Sequence, residues 1–306
     1  RYPLIILSIV YFYFLFKKYN IDLYISNNGG YPGGEYNRSS TISASLLTNC
    51  KTYHIFHSLA KPSNKLFKYV EYFYDKLIDN RCQLITDSEM SAIEIKKTRN
   101  INQKIEVIYN GVKDSEIKNY IESDCLKLLH VGLLDDNKNQ MILLESMKII
   151  KTEYNLDISL YLVGDHSDKI YTDKLKKFIK NNDLGSNIFL EEFTNNPYSY
   201  YYDMDILLLS PKVESFPTVI LEAMSVGLPV ITTRAGGVGE QVINNKTGFI
   251  IEQNDIDDLI DKIVFFYNNR SKIEEFGSDA YKVFNDRFQI KIMMNTYNNL
   301  FSKNNW

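Results

Sequence analysis

The sequence predicts an α/β protein with two doubly wound parallel sheets, one in each half of its 306 residues. Predicted strands and helices alternate along the chain, which is the pattern of parallel sheets built from strand–helix–strand units. Several predicted strands, such as residues 127–132 and 205–210, are short apolar runs typical of strands covered on both faces. The length gives room for two medium domains, each with its own core.

The first half opens with an apolar stretch, residues 4–16, followed by two lysines. It is shorter than the roughly 20 residues of a membrane-spanning helix, so we expect a buried helix. A loop of turn-forming residues, 27–34, follows the strand 21–26, and its Gly29 and Gly30 allow the backbone to approach a ligand or to turn sharply. The other predicted elements of this half are strands 52–58 and 83–88, helices at about 64–80 and 88–99, and a closing segment, 105–112.

The second half begins after residues 113–124, a charged segment of little periodicity that we interpret as a linker. Its predicted strands are 127–132, 157–165, 187–190, 205–210 and 230–232, and its predicted helices are 143–150, a helix ending near 181, a helix from 217, and closing helices 255–268, 272–284 and 287–303. The loop 191–197 follows a strand and is therefore expected near a bound nucleotide base.

Residues 214–237 are the segment around which the second half is organised. The strand 205–210 delivers Glu214 to its carboxyl end, Pro217 suits the first turn of a helix, and Gly227 with Pro229 ends that helix. The start of such a helix carries unpaired N–H groups and partial positive charge, which suits the phosphates of a nucleotide diphosphate.

Two glutamates complete this predicted pocket. Glu222 lies four residues after Thr218 and shares its helix face, where a carboxylate accepts hydrogen bonds from a diol such as ribose. Glu214, on the loop, could bind a sugar ring in the same way. A glutamate at the end of a strand and a glutamate in the first turn of a helix are also common without any ligand, because a carboxylate complements the helix dipole.

The segment resembles a known family. Glutamates 214 and 222 are followed by Ala-Met-x-x-Gly-x-Pro-Val-Ile, then by Gly-Gly-Val-Gly-Glu at 236–240 and Asn-Lys-Thr-Gly-Phe at 245–249. This set resembles the retaining glycosyltransferases of family 4 (group 1), which have the two-domain GT-B fold. The likeness covers about residues 20–285 and is strongest in the second half.

The resemblance implies two Rossmann-like domains facing a cleft. Residues 1–112 would form the acceptor-side domain, truncated at its start, because the family begins with strands and a glycine-rich loop that precede this point. Residues 125–285 would bind the nucleotide-sugar, and 286–306 would form a helix packing back on the first domain.

The resemblance also implies roles for single residues. Lys138, after Gly132, matches the family's lysine on the donor diphosphate, whereas Leu133 stands where the family carries an arginine. Phe216, Pro217, Thr218 and Val219 would border the donor phosphates, with Thr218 and Val219 donating their amides. His57 would reach the donor sugar, Glu214 would orient it, and Gly29 and Gly30 would face the cleft.

Charge and cysteine content limit the other classes of function. Residues 1–124 carry 16 basic and 13 acidic side chains, a net +3, and the remainder carry 19 and 25, a net −6. This asymmetry is too mild for nucleic-acid binding and leaves open a peripheral contact with an anionic membrane surface. The three cysteines have no metal-binding or redox spacing, which favours the cytoplasm or the inner face of the cell membrane.

One metal signature needs a separate interpretation. Asp203-Met-Asp205 has the Asp-x-Asp pattern of metal-dependent glycosyltransferases, but it precedes its strand, and a ligand site belongs at the carboxyl end. His54 and His57 are three apart on a predicted strand and face opposite sides, so they cannot share a metal. We therefore predict no metal site and no cofactor.

The leading hypothesis is transfer of a hexose from a UDP-, GDP- or ADP-sugar to a hydroxyl of a glycan or lipid-linked acceptor, with retention of configuration. Leu133 and the absent upstream loop leave a second hypothesis open, a nucleotide-sugar-binding partner with little or no activity. A third, an epimerase or phosphorylase on the same fold, would differ in its product.

Overall fold

The computed structural model describes residues 2–31, 33–62, 66 and 68–302, apart from the side chains of residues 2–4 and 35. The chain divides into two compact units, which we call unit 1 (Arg1–Tyr109) and unit 2 (Asn110–Trp306). Each unit contains one parallel sheet with helices connecting its strands, so the predicted α/β architecture is confirmed in both halves.

Unit 1 has a four-stranded sheet in the order β1-β2-β3-β4. Its core is formed by apolar residues of β2, β3 and the flanking helices, among them Phe56, Ile78, Leu84 and Ile95. Its elements are α1 (Tyr2–Lys18), β1 (Leu23–Asn28), α2 (Glu35–Ser45), β2 (Lys51–Phe56), α3 (Lys68–Arg81), β3 (Gln83–Thr86), α4 (Glu89–Thr98) and β4 (Glu106–Val107). The predicted start of α3 at residue 64 lies outside the described residues.

Helix α1 differs from its prediction, because only part of it is buried. Ile5 is buried, whereas Leu7, Tyr11 and Phe14 are each more than half exposed. The expectation of a buried helix is therefore wrong for one face of α1. Among the described residues, no helix combines the length and the apolar character required to cross a membrane.

Helix α2 was missed by the sequence patterns, and its contacts with α1 explain why. Its buried face consists largely of serine and threonine rather than of apolar side chains. The Ser43 hydroxyl donates to the Ile9 carbonyl of α1 at 2.8 Å and to its own helix at the Ser39 carbonyl at 2.7 Å. Such a face shows no apolar periodicity, which is the signal used to predict amphipathic helices.

Unit 2 has a six-stranded parallel sheet in the order β10-β9-β8-β5-β6-β7. Its elements are β5 (Leu126–Val131), α5 (Gln140–Ile149), continued by a π-helical segment (Ile150–Tyr154), β6 (Ile158–Gly164), α6 (Lys169–Asn181), β7 (Ile188–Glu192), α7 (Tyr198–Asp203), β8 (Ile206–Leu209), α8 (Thr218–Ser225), β9 (Val230–Thr233), α9 (Val238–Gln241), β10 (Gly248–Ile251), α10 (Ile256–Asn268), α11 (Ser271–Arg287) and α12 (Ile290–Ser302). The predicted linker, 113–124, lies within unit 2 and contains no helix or strand.

The strand order places a topological switch point between β5 and β8. From β5 the chain proceeds to β6 and β7 on one side, and from β8 it proceeds to β9 and β10 on the other. Connections that leave in opposite directions open a crevice at the carboxyl ends of the two central strands, which is where open α/β sheets bind ligands. The loops after β5 and β8 are therefore the first place to look for a site.

Candidate active site

The loops that follow β5 and β8 are tied together by hydrogen bonds. The Asn137 side chain donates to the Val213 carbonyl at 3.0 Å and accepts from the Val213 amide at 3.2 Å. The Ser210 hydroxyl donates to the Lys138 carbonyl at 2.9 Å, and the Lys212 amide donates to the Asn137 carbonyl at 2.8 Å. These bonds fix Lys138, on one loop, relative to Glu214 on the other.

Lys138 and Glu214 form an ion pair across the switch point, between Nζ and Oε2. Both side chains are about one-fifth exposed, so they remain accessible to a ligand. The structure thus brings together the predicted diphosphate lysine and the predicted sugar-binding glutamate. The carboxylate neutralises part of the lysine's charge.

Helix α8 begins beside this pair. Pro217 occupies the N-cap position without a side-chain cap, so the first helical residues are Thr218 and Val219. The first amides of a helix have no partner within the helix. Phe216 is buried, with its ring 5.8 Å from that of Phe288, and the Pro217 carbonyl accepts a hydrogen bond from Gln241 at 3.0 Å. The buried Phe216 and Pro217 anchor this turn, while Thr218 is exposed.

A cavity of about 490 Å³ adjoins the turn within unit 2. Three predicted donor-binding residues, Gly132, Val219 and Glu222, line it. The far wall comes from the loop after β7, including Phe193, Asn195 and Pro197, so the loop expected near a nucleotide base faces the same space as Glu222. The other described lining residues are Val131, Leu133, Val163, Gly164, Asp165 and Thr194.

Glu222 is held at the wall of the cavity by a residue that the sequence patterns did not indicate. The hydroxyl of Tyr201, on α7, donates to Glu222 Oε2 at 2.8 Å. Burial raises the pKa of Glu222 above its ordinary value, and the tyrosine hydrogen bond acts in the opposite direction. Burial, followed by the Glu222 charge, also raises the pKa of Tyr201, which therefore stays a donor.

Two glycines permit close backbone contacts at this site. A Cβ atom at Gly164 would lie 1.7 Å from the Gly132 carbonyl oxygen, so the ends of β5 and β6 approach too closely for any side chain there. Gly236 has φ +49°, and a Cβ atom on it would lie 1.7 Å from the Glu214 carbonyl oxygen. The glycine pair 236–237 therefore supports the backbone that carries Glu214.

A buried histidine supports the end of β5. His130 Nδ1 lies 3.0 Å from the Leu208 carbonyl, and its Nε2 lies 2.9 Å from the Gln140 side-chain nitrogen. A neutral imidazole satisfies both contacts if Nδ1 donates to the carbonyl and Nε2 accepts from Gln140. Burial lowers the pKa of His130 to about 4, so the ring is neutral at pH 7.

Leu133, in the position of the family's arginine, lines the cavity and is half exposed. No lysine or arginine is found among the cavity-lining residues that the structure describes, whereas Asp165 and Glu222 are both acidic. Positive charge near the cavity is therefore supplied by Lys138 and by the start of α8.

The remaining predicted site residues belong to unit 1. His57 directly follows β2, with Nε2 2.7 Å from Asn27 Oδ1 and Nδ1 3.5 Å from an Asp87 carboxylate oxygen. Gly29 and Gly30 directly follow β1. All three residues thus lie at the carboxyl edge of the unit 1 sheet, while His54 is buried within β2.

Asp203 and Asp205 lie at the opposite edge of the unit 2 sheet, just before β8. Asp205 is buried and accepts a hydrogen bond from the Lys127 amide at 2.8 Å, and Asp203 pairs with the Lys127 side chain at 3.1 Å. Both carboxylates thus connect β8 to the beginning of β5.

The chain has two α/β units, each with a parallel sheet, and the second has a nucleotide-sized cavity at its switch point. This combination is typical of the GT-B glycosyltransferase fold. The family model described as "Glycosyl transferases group 1" matches residues 112–283, which is more than half of the chain. The chain therefore belongs to the group 1 glycosyltransferase family.

Individual proteins agree with this assignment. An uncharacterized glycosyltransferase of Methanocaldococcus jannaschii is 30% identical over 71% of this chain and 58% of its own length. The UDP-Gal:alpha-D-GlcNAc-diphosphoundecaprenol alpha-1,3-galactosyltransferase of Escherichia coli is 29% identical over 84% of this chain and 69% of its own. The crystal structure of a glycosyltransferase from Rickettsia africae aligns with a TM-score of 0.83 and 21% identity, covering 98% of this chain and 81% of the other. The chain spans about half the length of the curated relatives that it matches first.

Proposed function

We propose that this protein is a glycosyltransferase that moves a hexose from a nucleotide diphosphate sugar to an acceptor hydroxyl, with retention of the anomeric configuration. The observation that carries the proposal is the position of Glu222. It lines the same cavity as Val219, at the start of α8, and as the loop after β7. The amides at the helix start suit the diphosphate, the Glu222 carboxylate suits the ribose diol, and the loop after β7 suits the base.

The leaving group is the nucleoside diphosphate. Lys138 and the amides of Thr218 and Val219 stabilise the charge that develops on its oxygen as the bond to the anomeric carbon breaks. The acceptor oxygen forms the new bond to that carbon, and its proton passes to the leaving diphosphate oxygen. Glu214 orients the sugar and favours positive charge at its ring.

The name of the E. coli relative supports a lipid-linked acceptor, because that enzyme is named for transfer to a sugar on diphosphoundecaprenol. We propose the same broad setting here, assembly of a polysaccharide or glycolipid. Such an acceptor would place the protein in the cytoplasm at the inner face of the membrane. We propose no metal in the site, because the Asp203 and Asp205 carboxylates lie at the amino edge of the sheet, connected to Lys127.

The test is binding and turnover with a panel of UDP-, GDP- and ADP-sugars, each with and without EDTA, on the wild type and on Glu222→Ala. We expect one nucleotide to bind, turnover to continue in EDTA, and Glu222→Ala to weaken binding at least tenfold through loss of the diol hydrogen bonds. Glu214→Ala should retain binding of the free nucleotide and lose transfer.

Three outcomes would contradict parts of the proposal. Loss of activity in EDTA would indicate a required metal, with Asp203 and Asp205 as candidate ligands. Donor binding without turnover on any acceptor extract would favour an inactive binding partner. Release of a rearranged sugar or a sugar phosphate would indicate an epimerase or a phosphorylase.

A further inference from the structure

Unit 1 contains a pocket of its own, of about 660 Å³, at the carboxyl edge of its sheet. We call it the Arg38 pocket. It is lined by the glycine-rich loop that follows β1, by the segment that follows β2, and by the basic side chains of Arg38, Lys61 and Arg99. None of the roles described above uses Arg38.

Arg38 is buried without an ion-pair partner among the described side chains. It is only 5% exposed, and its Nε is buried without a hydrogen-bond acceptor. Within the described ranges of the chain, no carboxylate lies within ion-pair distance of its guanidinium, which faces the Tyr74 ring at 5.9 Å. Burial of an uncompensated cation is costly, so such a residue usually has a partner.

Arg99, in the same pocket, shows the ordinary arrangement. Its guanidinium is fully buried and is held by Glu71 at 2.8 Å and by Asp75 at 2.9 Å. The Tyr31 hydroxyl donates to Asp75 at 2.9 Å and completes this network. The contrast identifies Arg38 as a buried cation that has no ion-pair contact among the described side chains, although the Asp75 carboxylate lies near enough for the Arg38 charge to lower its pKa.

The loop above Arg38 is tightly built. The Asn28 amide donates to the Gly30 carbonyl at 2.7 Å, and its oxygen accepts from Asn37, on the first turn of α2, at 3.1 Å. Gly33 has φ +79°, and a Cβ atom there would lie 1.4 Å from Asn28 Nδ2. The loop thus requires a glycine where it enters α2, and it places its backbone beside Arg38.

The balance of charge in the pocket favours an anion. Among the described lining residues, three cations stand against one carboxylate, Glu71, and Asp75 behind Arg99 supplies a second. One positive charge remains, and the first amides of α2 receive no side-chain cap from Gly34. A glycine loop, a helix start and an arginine together suit the oxygens of a phosphate.

We propose that the Arg38 pocket binds a phosphate ester, with Arg38 as its counter-charge. Assigning that phosphate to the acceptor rests on the proposed transferase function, whereas the binding of phosphate does not. Two sources share this chemistry: the phosphate of a membrane lipid carrier and that of a soluble phosphorylated sugar or alcohol.

The experiment uses the full chain, with the nucleoside diphosphate that the donor panel identifies at saturation, so that the unit 2 site is filled. Titration calorimetry measures glycerol 3-phosphate binding to the wild type, to Arg38→Gln and to Arg81→Gln, an exposed arginine of the same unit outside the pocket. We expect equal affinity for the wild type and Arg81→Gln and at least tenfold weaker binding for Arg38→Gln. The affinity for that nucleoside diphosphate, measured separately, should be the same in all three proteins. Unchanged phosphate affinity in Arg38→Gln would overturn the proposal.

A second readout separates binding from a structural role. Removing a buried charge that has no ion-pair contact should leave the thermal midpoint of the ligand-free protein unchanged or raise it, whereas a structural arginine would lower it when replaced by glutamine. A lower midpoint for Arg38→Gln would therefore contradict the proposal. Malonate binding as tightly as glycerol 3-phosphate would overturn the assignment to phosphate.

Two further arms identify the source of the phosphate and separate this proposal from the transferase assignment. Polyprenyl phosphate in detergent micelles, if it binds at least tenfold more tightly than glycerol 3-phosphate, identifies a lipid carrier, and equal affinity identifies a soluble ester. Both results require Arg38. Phosphate binding in a protein that binds no nucleotide-sugar would keep the Arg38 pocket and reject the transferase.

Discussion

The hydroxyl of Tyr201 donates a 2.8 Å hydrogen bond to Glu222, and it does so from a fully buried side chain. The two residues are 21 positions apart, on α7 and α8, and their contact fixes one oxygen of the carboxylate at the cavity wall. A ligand that uses Glu222 therefore meets an acceptor whose direction is already set, which reduces the ordering cost of binding.

Tyr201→Phe should weaken donor binding about tenfold. The change removes the hydrogen bond that orients Glu222 and leaves the ring in place, so binding must also order the carboxylate, at a cost of up to about 1.5 kcal/mol. Titration calorimetry measures the affinity for the nucleotide-sugar that the donor panel identifies. Tyr202→Phe is the matched control, since the Tyr202 hydroxyl donates to the Glu116 carbonyl instead. Equal affinity in both variants would show that Tyr201 does not orient Glu222.

Glu222→Gln should stabilise the protein in a pH-dependent way. Burial raises the pKa of Glu222 in the folded state above its ordinary 4.5, so ionisation costs stability as the pH rises from about 4.5 through the folded pKa. The glutamine variant avoids this cost, and its advantage in free energy of unfolding should grow across that window and then stay constant.

Urea denaturation at several pH values between 4 and 8 tests this, with Glu153→Gln as an exposed control. If the difference in free energy of unfolding between Glu222→Gln and the wild type does not change with pH, the prediction is wrong.

Replacing either member of the Lys138–Glu214 pair should change nucleotide affinity in opposite directions. Lys138→Ala removes a cation from the diphosphate and should weaken binding of the nucleoside diphosphate roughly 10- to 100-fold. Glu214→Gln frees Lys138 from its carboxylate and should tighten that binding about twofold to tenfold while transfer falls. Lys177→Ala, an exposed lysine on α6, should have no effect. Weaker nucleotide binding in Glu214→Gln would mean that the carboxylate supports the nucleotide directly.

Gly236→Ala should destabilise unit 2 by about 1–3 kcal/mol, because the residue has positive φ and no room for a Cβ atom beside Glu214. The matched control is Gly239→Ala, where a Cβ atom meets nothing within 4 Å and alanine favours the helix α9. Chemical denaturation compares the two. Equal stability of both variants would show that the 214–217 loop can move away.

Acid should destabilise both units between pH 6.5 and 4. Burial lowers the pKa of His54, in unit 1, and of His130, in unit 2, from 6.5 to about 4. The stability that depends on the neutral rings is fully present above pH 6.5 and is lost as the pH falls through this range, by at most about 3 kcal/mol for each histidine. Proton NMR of the imidazole C–H groups follows the two rings directly. Titration of either ring near pH 6.5 in the folded protein would contradict the expectation.

The sequence was most informative where the site depends on neighbours along the chain. Glu214, Thr218 and Glu222 belong to one strand–loop–helix segment, so their spacing alone indicates that a carboxylate lies one turn below a helix start. The position of the loop after β7 also follows from the alternation of strands and helices. Fold class and the outline of the nucleotide site could therefore be predicted.

Contacts between residues that are distant in the sequence could not be predicted. Tyr201 lies in a run of tyrosines that has no distinguishing period, and only the packing of α7 on α8 brings it to Glu222. Arg38 lies on a helix whose buried serines and threonines hide its periodicity, so neither α2 nor the pocket was indicated. Burial of a charge without a partner is a property of three-dimensional surroundings, and no spacing of residues reports it.

Helix α1 has a consequence for the behaviour of the purified protein. Its backbone carbonyls accept hydrogen bonds from small hydroxyl groups of α2, such as Ile9 from Ser43, and Ile5 packs into the core of unit 1. Leu7, Tyr11 and Phe14 follow one another at helical spacing and are all exposed. An apolar stripe of this kind promotes self-association as concentration rises, and mild detergent reverses it. Self-association through α1 would therefore limit the protein concentration at which ligand affinities can be measured.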